Sequence, residues 1–173
     1  MVLSKNMQKL VAGSSTIRKL FEEGIELAKE VGAENVYDFS LGNPAAPVPE
    51  EVKKSIYDIL ENRNANFVHC YMPNAGYPEV REKVAANLNK KYNSSFTKDD
   101  IIMTVGAAGG INCVLRSLLE PEDEVLCFAP FFGEYNSYVM NFGGNLKVVP
   151  ADYETFQLNV EEADKYITER TKL

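Results

Sequence analysis

The chain has 173 residues, 45% hydrophobic and 25% charged, with a formal net charge of −7. That length suits one globular domain by the usual prior of roughly 100–200 residues. The acidic balance argues against a nucleic-acid or anionic-membrane surface, either of which needs a basic patch. His69 is the only histidine, and Cys70, Cys113 and Cys127 have no CxxC spacing. No metal site is therefore expected, and the thiols suit a reducing compartment. No apolar run approaches the roughly 18 residues of a membrane span, and no signal-peptide core stands at the N-terminus. The expectation is a soluble, cytoplasmic protein with no membrane partner.

Residues 1–13 read as an arm or short helix. Ser15 or Thr16 is placed to cap a helix running to about Val31, with Ile17, Leu20, Phe21, Ile25 and Leu27 or Ala28 on its apolar side and Gly32 closing it. Residues 36–41 alternate as a short strand, which Gly42-Asn43-Pro44 breaks. A second helix is expected over 50–61 with Val52, Ile56, Ile59 and Leu60 inward, followed by a polar loop over 62–76. Pro78 suits the first turn of a helix to about Tyr92, where Val80, Val84, Leu88 and Lys91 have helical spacing. A strand over 101–105, a helix over 107–119, a strand over 124–128, a helix over 132–141 and a strand over 146–150 follow. Residues 158–168 have helical spacing, with Asn159 as the expected cap. Alternation of this kind builds a sheet covered by helices.

The chemistry-bearing pattern is TVGAAGGINCVLRSLL at 104–119 followed by APFFGEY at 129–135. A glycine-rich turn at a helix N-terminus offers free backbone N–H groups and the positive end of the helix dipole, which suits a phosphate. Aromatics leaving the next strand can cover a flat ring, so a phosphorylated planar cofactor accounts for both. The glycines also have a purely structural explanation, since such turns need them for backbone geometry. A dinucleotide-binding domain fits less well. The G-x-G-x-x-G fingerprint and its acidic residue are absent.

With these elements in order, the chain resembles the N-terminal part of the fold-type I pyridoxal-phosphate (PLP) enzymes, specifically the class I/II aminotransferases, from about Ser14 to Leu173. The resemblance rests on SLGNP at 40–44, YMPNAGYPEVREKVA at 71–85, the TVGAAGG turn, DEVLCFAPFFGEY at 123–135 and GGNLKVVP at 143–150. It implies an α/β fold, the α/β/α sandwich of a PLP-transferase large domain, incomplete here with about three strands of the central sheet. Residues 1–48 would form an N-terminal arm and helix belonging to the small domain, and 49–173 the first part of the large domain. Gly106, Ala107 and Ala108 match the turn whose amides hold the cofactor phosphate. Many members add a Ser or Thr hydroxyl there, where this chain has alanines. Phe132 matches the aromatic that stacks on the pyridine ring, while at least one of Phe131 and Phe132 is expected in the core. Tyr71 matches a tyrosine that reaches the phosphate of the partner subunit, which implies a homodimer. Gly42 matches the glycine beside the substrate carboxylate, and Ile17 is a candidate lining residue at the substrate entrance.

The resemblance implies amino-group transfer between an amino acid and a 2-oxo acid. The family's NNPxNP loop, its lysine in an SxSK-like segment and its carboxylate-binding arginine do not occur in these residues. No catalytic residue is therefore assigned, and the chain alone is expected to be inactive, as an N-terminal fragment. The alternative is a non-catalytic module of the PLP family that binds phosphate or PLP, or pairs with a full-length subunit.

Overall fold

The computed structural model describes residues 2–12, 16–40, 42, 44 and 46–173. The chain divides into two compact units, Met1–His69 and Cys70–Leu173.

The first unit is helical: α1 (Lys5–Ala12), α2 (Thr16–Val31), α3 (Glu50–Asn62) and the single turn α4 (Ala65–Val68). α2 stops at Gly32, whose φ of 88° suits glycine, and Asn35 donates its side-chain amide to the Val31 carbonyl at 2.7 Å. Asn64 caps α4 by accepting the Asn66 N–H at 2.8 Å. Of the expected caps of α2, Ser15 and the Thr16 side chain lie outside the described residues. The expected strand over 36–41 does not form across its described part, 36–40. Asp38 instead accepts the Ser40 N–H at 2.8 Å, a local bond that competes with extended pairing. The apolar row expected to face inward from α3, Val52, Ile56, Ile59 and Leu60, is exposed. Among the described residues of this unit none is buried.

The second unit contains α5 (Pro78–Tyr92), α6 (Gly106–Leu118), β1 (Glu124–Phe128), α7 (Glu134–Met140) and β2 (Asn145–Val149). Pro78 occupies the first turn of α5 as expected. The inward face of that helix holds Arg81, Val84, Ala85 and Leu88, while Val80 and Lys91 are exposed. The row is thus turned from the expected Val80–Val84–Leu88–Lys91, because Arg81 can lie inward where backbone carbonyls accept its N–H groups. β1 and β2 pair in parallel, Glu124 opposite Asn145 through Phe128 opposite Val149, with α7 as the crossover. Along β1 alternate residues bond to opposite sides. Ala129 N–H reaches Val149 O at 2.9 Å, whereas Glu124 N–H reaches Arg170 O and Leu126 N–H reaches Leu173 O, both at 2.8 Å. Residues 170–173 therefore run beside β1 on the side away from β2, with a parallel bridge at Glu124 and Thr171.

The α/β class stands, but the sheet has two strands rather than about three. Residues 101–105 form no ladder, since a strand exists only when a neighbour pairs with it. The expected helix over 158–168 contracts to a 3-10 stretch, Val160–Lys165, and Asn159 gives no side-chain cap. The chain must turn there to bring Thr168 and Thr171 to the start of β1, where Thr168 Oγ1 donates to Glu124 Oε2 at 2.7 Å.

The core lies in this second unit: Leu115, Val139, Val149, Ala85 and Ala151 are buried. α6, β1, α7 and β2 border a half-open apolar pocket of about 260 Å³ lined by Ile111, Leu115, Cys127, Tyr135, Val139 and Leu146, among others. Gly144 packs tightly just before β2, where a Cβ would stand 3.0 Å from both Leu119 Cδ1 and Val139 Cγ1.

Candidate functional site

The glycine-rich turn forms the N-terminus of α6 as its sequence predicts. Gly106 adopts φ 65°, the left-handed region, and its N–H donates to Thr104 O at 3.0 Å. Gly109 N–H reaches Val105 O at 3.3 Å. The amides of Ala107 and Ala108 stand in the first turn, where a helix supplies no acceptor of its own, and both residues are exposed. Of the two later glycines only Gly110 is tight, where a Cβ would sit 3.2 Å from Thr104 Oγ1; one on Gly109 would make ordinary contact, 3.7 Å from Val105 Cβ. Thr104 is the hydroxyl closest in sequence to the turn, but it donates to Gly106 O at 3.1 Å. The site thus offers main-chain donors without a side-chain hydroxyl.

Phe132 lies in the loop that leaves the carboxyl end of β1, the end at which open α/β sheets place ligands. It is 51% exposed, and its ring meets Tyr135 edge to face, with centroids 5.8 Å apart. Phe131 is exposed as well, so the expectation that one of the pair enters the core fails. Both rings lie beyond the end of the strand, outside the layer that α6 and α7 cover. Tyr135 does pack inward, against the apolar pocket.

Tyr71 is fully exposed in the loop before α5. That loop is tied to the segment entering α6 by Met103 N–H to Ala75 O, 3.0 Å. Gly106, Ala107, Ala108, Phe132 and Tyr71 all belong to the second unit, and Gly42 and Ile17 to the first. Gly42 is exposed, with nothing within 4 Å of where a Cβ would stand. Ile17 lies in α2, but its side chain is outside the described residues.

Glu124, 8% exposed, is held below the usual carboxylate range first by the hydrogen bond from Thr168, with Lys147 and Arg170 adding to it against the opposing effect of burial. Burial pushes the Cys127 thiol up, away from the thiolate a nucleophile needs. Among the described residues no group of three His, Cys, Asp or Glu side chains is placed to hold a metal ion, and no helix is long and apolar enough to cross a membrane. Sequence reasoning missed Arg81 and Glu124. The inward row through Arg81, Ala85 and Leu88 is the signal that marks the first, while nothing local marks the second.

A parallel β-α-β unit, a helix that opens on a glycine turn and an aromatic loop at a strand's carboxyl end define the class, an α/β domain whose helix α6 begins on first-turn amides that have no helical acceptor. The chain belongs to the aminotransferase class I and II family, whose model matches residues 33–173. It is 34% identical to an aspartate aminotransferase of Pyrococcus abyssi over 91% of this chain and 39% of that protein. It is equally 34% identical to aromatic-amino-acid aminotransferase 2 of Thermococcus litoralis, over 99% of this chain and 42% of that one. An amino transferase of Eubacterium rectale superimposes with a TM-score of 0.89 at 37% identity, covering 99% of this chain and 43% of the other. The chain thus spans about two fifths of the length of the relatives it matches.

Proposed function

We propose that this chain supplies the phosphate-holding and ring-facing part of a PLP-dependent aminotransferase that moves an amino group between an amino acid and a 2-oxo acid. The observation that carries the reading is the pair of exposed first-turn amides at Ala107 and Ala108 on a thirteen-residue helix. A dianionic phosphate suits two N–H donors at the positive end of a helix dipole. The residues present fit such a group: the amides of Ala107 and Ala108 would hold the phosphate on the turn that Gly106 shapes, and Phe132 would cover one face of the pyridine ring. The bound cofactor would supply an electron sink for the substrate α-carbon. The chain's own residues bind and orient. The alanine side chains leave room at the turn and add no hydroxyl donor to the main-chain amides, and Phe132 contributes a flat π-face. Gly42 and Ile17 would lie on the substrate side. Tyr71, fully exposed and in a loop, suits a role across a homodimer interface. Three cysteines without CxxC spacing accord with a cytoplasmic setting.

Two relatives of equal identity carry different amino-acid names, aspartate in one and aromatic in the other. The substrate is therefore read no further than an amino acid and a 2-oxo acid. No residue here is assigned the proton transfer, and the chain alone is read as inactive. A transamination rate from the purified chain, free of host enzymes, would overturn that.

The phosphate reading is tested by NMR titration of the chain with inorganic phosphate and with pyridoxal phosphate. The amides of Ala107 and Ala108 are expected to shift with both. Ala107→Pro deletes one donor where a helix tolerates proline, and should weaken phosphate binding by about three- to tenfold. Phe132→Ala should weaken pyridoxal phosphate and leave inorganic phosphate unchanged. Phosphate shifts confined to other residues would sink the assignment.

A further inference from the structure

Residues 101–105 lead directly into the Gly106 turn, yet no strand ladder holds them. Their main-chain anchors are Ile101 N–H to Lys98 O at 3.3 Å, Met103 N–H to Ala75 O at 3.0 Å and the turn bond from Gly106 to Thr104. Ile102, Met103 and Val105 are exposed, so burial does not fix the segment either. The remaining hold comes from Arg81. Its side chain is 12% exposed, and Nη1 donates to Lys98 O at 2.8 Å and to Ile101 O at 3.4 Å, with Asp99 Oδ1 3.9 Å away. Nε is buried without an acceptor. A guanidinium keeps one N–H dry and unpaired only where its other bonds and its packing fix its position. The same segment closes on the loop before α5. At Gly76, φ 96°, a Cβ would stand 2.5 Å from Met103 Cγ, so only glycine admits the Met103 side chain there.

We propose that Arg81 is a positioning residue for the Gly106–Ala108 turn. By holding the carbonyls of Lys98 and Ile101 from the first turn of α5, it sets the course of residues 101–105 and hence where the turn's amides point. The link to phosphate rests on the cofactor reading above. The hold itself does not.

The test is amide hydrogen exchange on the whole chain, comparing wild type with Arg81→Lys and Arg81→Met. Lysine keeps the charge and the aliphatic stem, but its nitrogen ends one bond nearer the backbone than Nη1, the single nitrogen that donates to both carbonyls. Exchange at Ile101 and Met103 is expected to accelerate by about tenfold or more in both variants, the factor expected when a charge-assisted hydrogen bond is lost. Leu126 in β1, whose N–H meets Leu173 O, and Lys147 in β2, on the β1-facing side of the register, should stay within about twofold of wild type. Equal acceleration in β1 and β2 would mean a general loss of stability and would overturn the proposal, as would unchanged protection at Met103. Should the methionine variant not fold, the lysine variant decides. Titration with inorganic phosphate then separates the two readings. Absence of a shift at Ala107 and Ala108 in wild type defeats the phosphate turn and leaves the exchange result standing for Arg81. A wild-type shift that Arg81→Lys retains at equal affinity overturns the link between them.

Discussion

In α3 the row Val52, Ile56 and Leu60 stays exposed, whereas in α6 Leu115 is buried and Ile111 half-buried against β1, α7 and β2. Both helices have thirteen residues and both carry apolar side chains at helical spacing. The difference lies in what each finds opposite. β1 and β2 bring half-buried Val125, Leu126, Cys127 and Leu146 to a pocket that Ile111 and Leu115 of α6 and Tyr135 and Val139 of α7 also line. The first unit has helices and a turn but no sheet among its described residues. An amphipathic pattern gives a helix a face to bury. Only a second layer buries it.

The sharpest way to break this comparison is to make equivalent truncations in the two units and follow urea unfolding. Leu115→Ala, at a side chain 4% exposed, is expected to cost about 2–3 kcal/mol. That is the lower part of the range for such a change, because Leu115 already borders a pocket. Ile56→Ala, at 54% exposed, should change stability by about 0.5 kcal/mol or less. Similar losses at both positions would mean that the first unit is covered in solution by something that acts as its second layer.

A smaller, pH-dependent effect is expected at Glu124. Its carboxyl lies below the usual range when folded, so its contribution is full above the ordinary carboxylate pKa and disappears as pH falls through the depressed folded value. Glu124→Gln should therefore be less stable than wild type near neutral pH and converge with it in acid. A constant gap at every pH would show that the Thr168 hydrogen bond acts without the charge.

The smallest effect is expected at Lys29, paired with Glu26 at 2.7 Å on the open face of α2. Lys29→Ala should move stability by less than about 0.5 kcal/mol, and added salt should hardly change the difference. A larger loss would mark that face of α2 as part of an interface.

Much of the site's chemistry was legible along the chain because it is local. A glycine that must take a positive φ, a helix that starts on it and an aromatic loop after the next strand are all written within residues 104–135. Arg81 was not legible in this way, since its acceptors, the carbonyls of Lys98 and Ile101, lie seventeen and twenty residues on. Nor was Glu124, whose hydroxyl donor Thr168 is forty-four residues away. Phe131 was misplaced for a related reason: hydrophobicity alone does not reveal that a loop has already left the sheet's covered zone.

By itself, the sequence determined the longer helices α2, α3, α5 and α6, where proline and glycine start and stop them, and which turn bears free amides. These follow from dihedral preference and spacing, which act over a few residues. The tertiary structure alone decided that residues 124–128 and 145–149 pair while 101–105 do not. It also decided that α6 buries its face while α3 leaves its own exposed. Pairing and burial need a partner surface, and no stretch of sequence contains its partner.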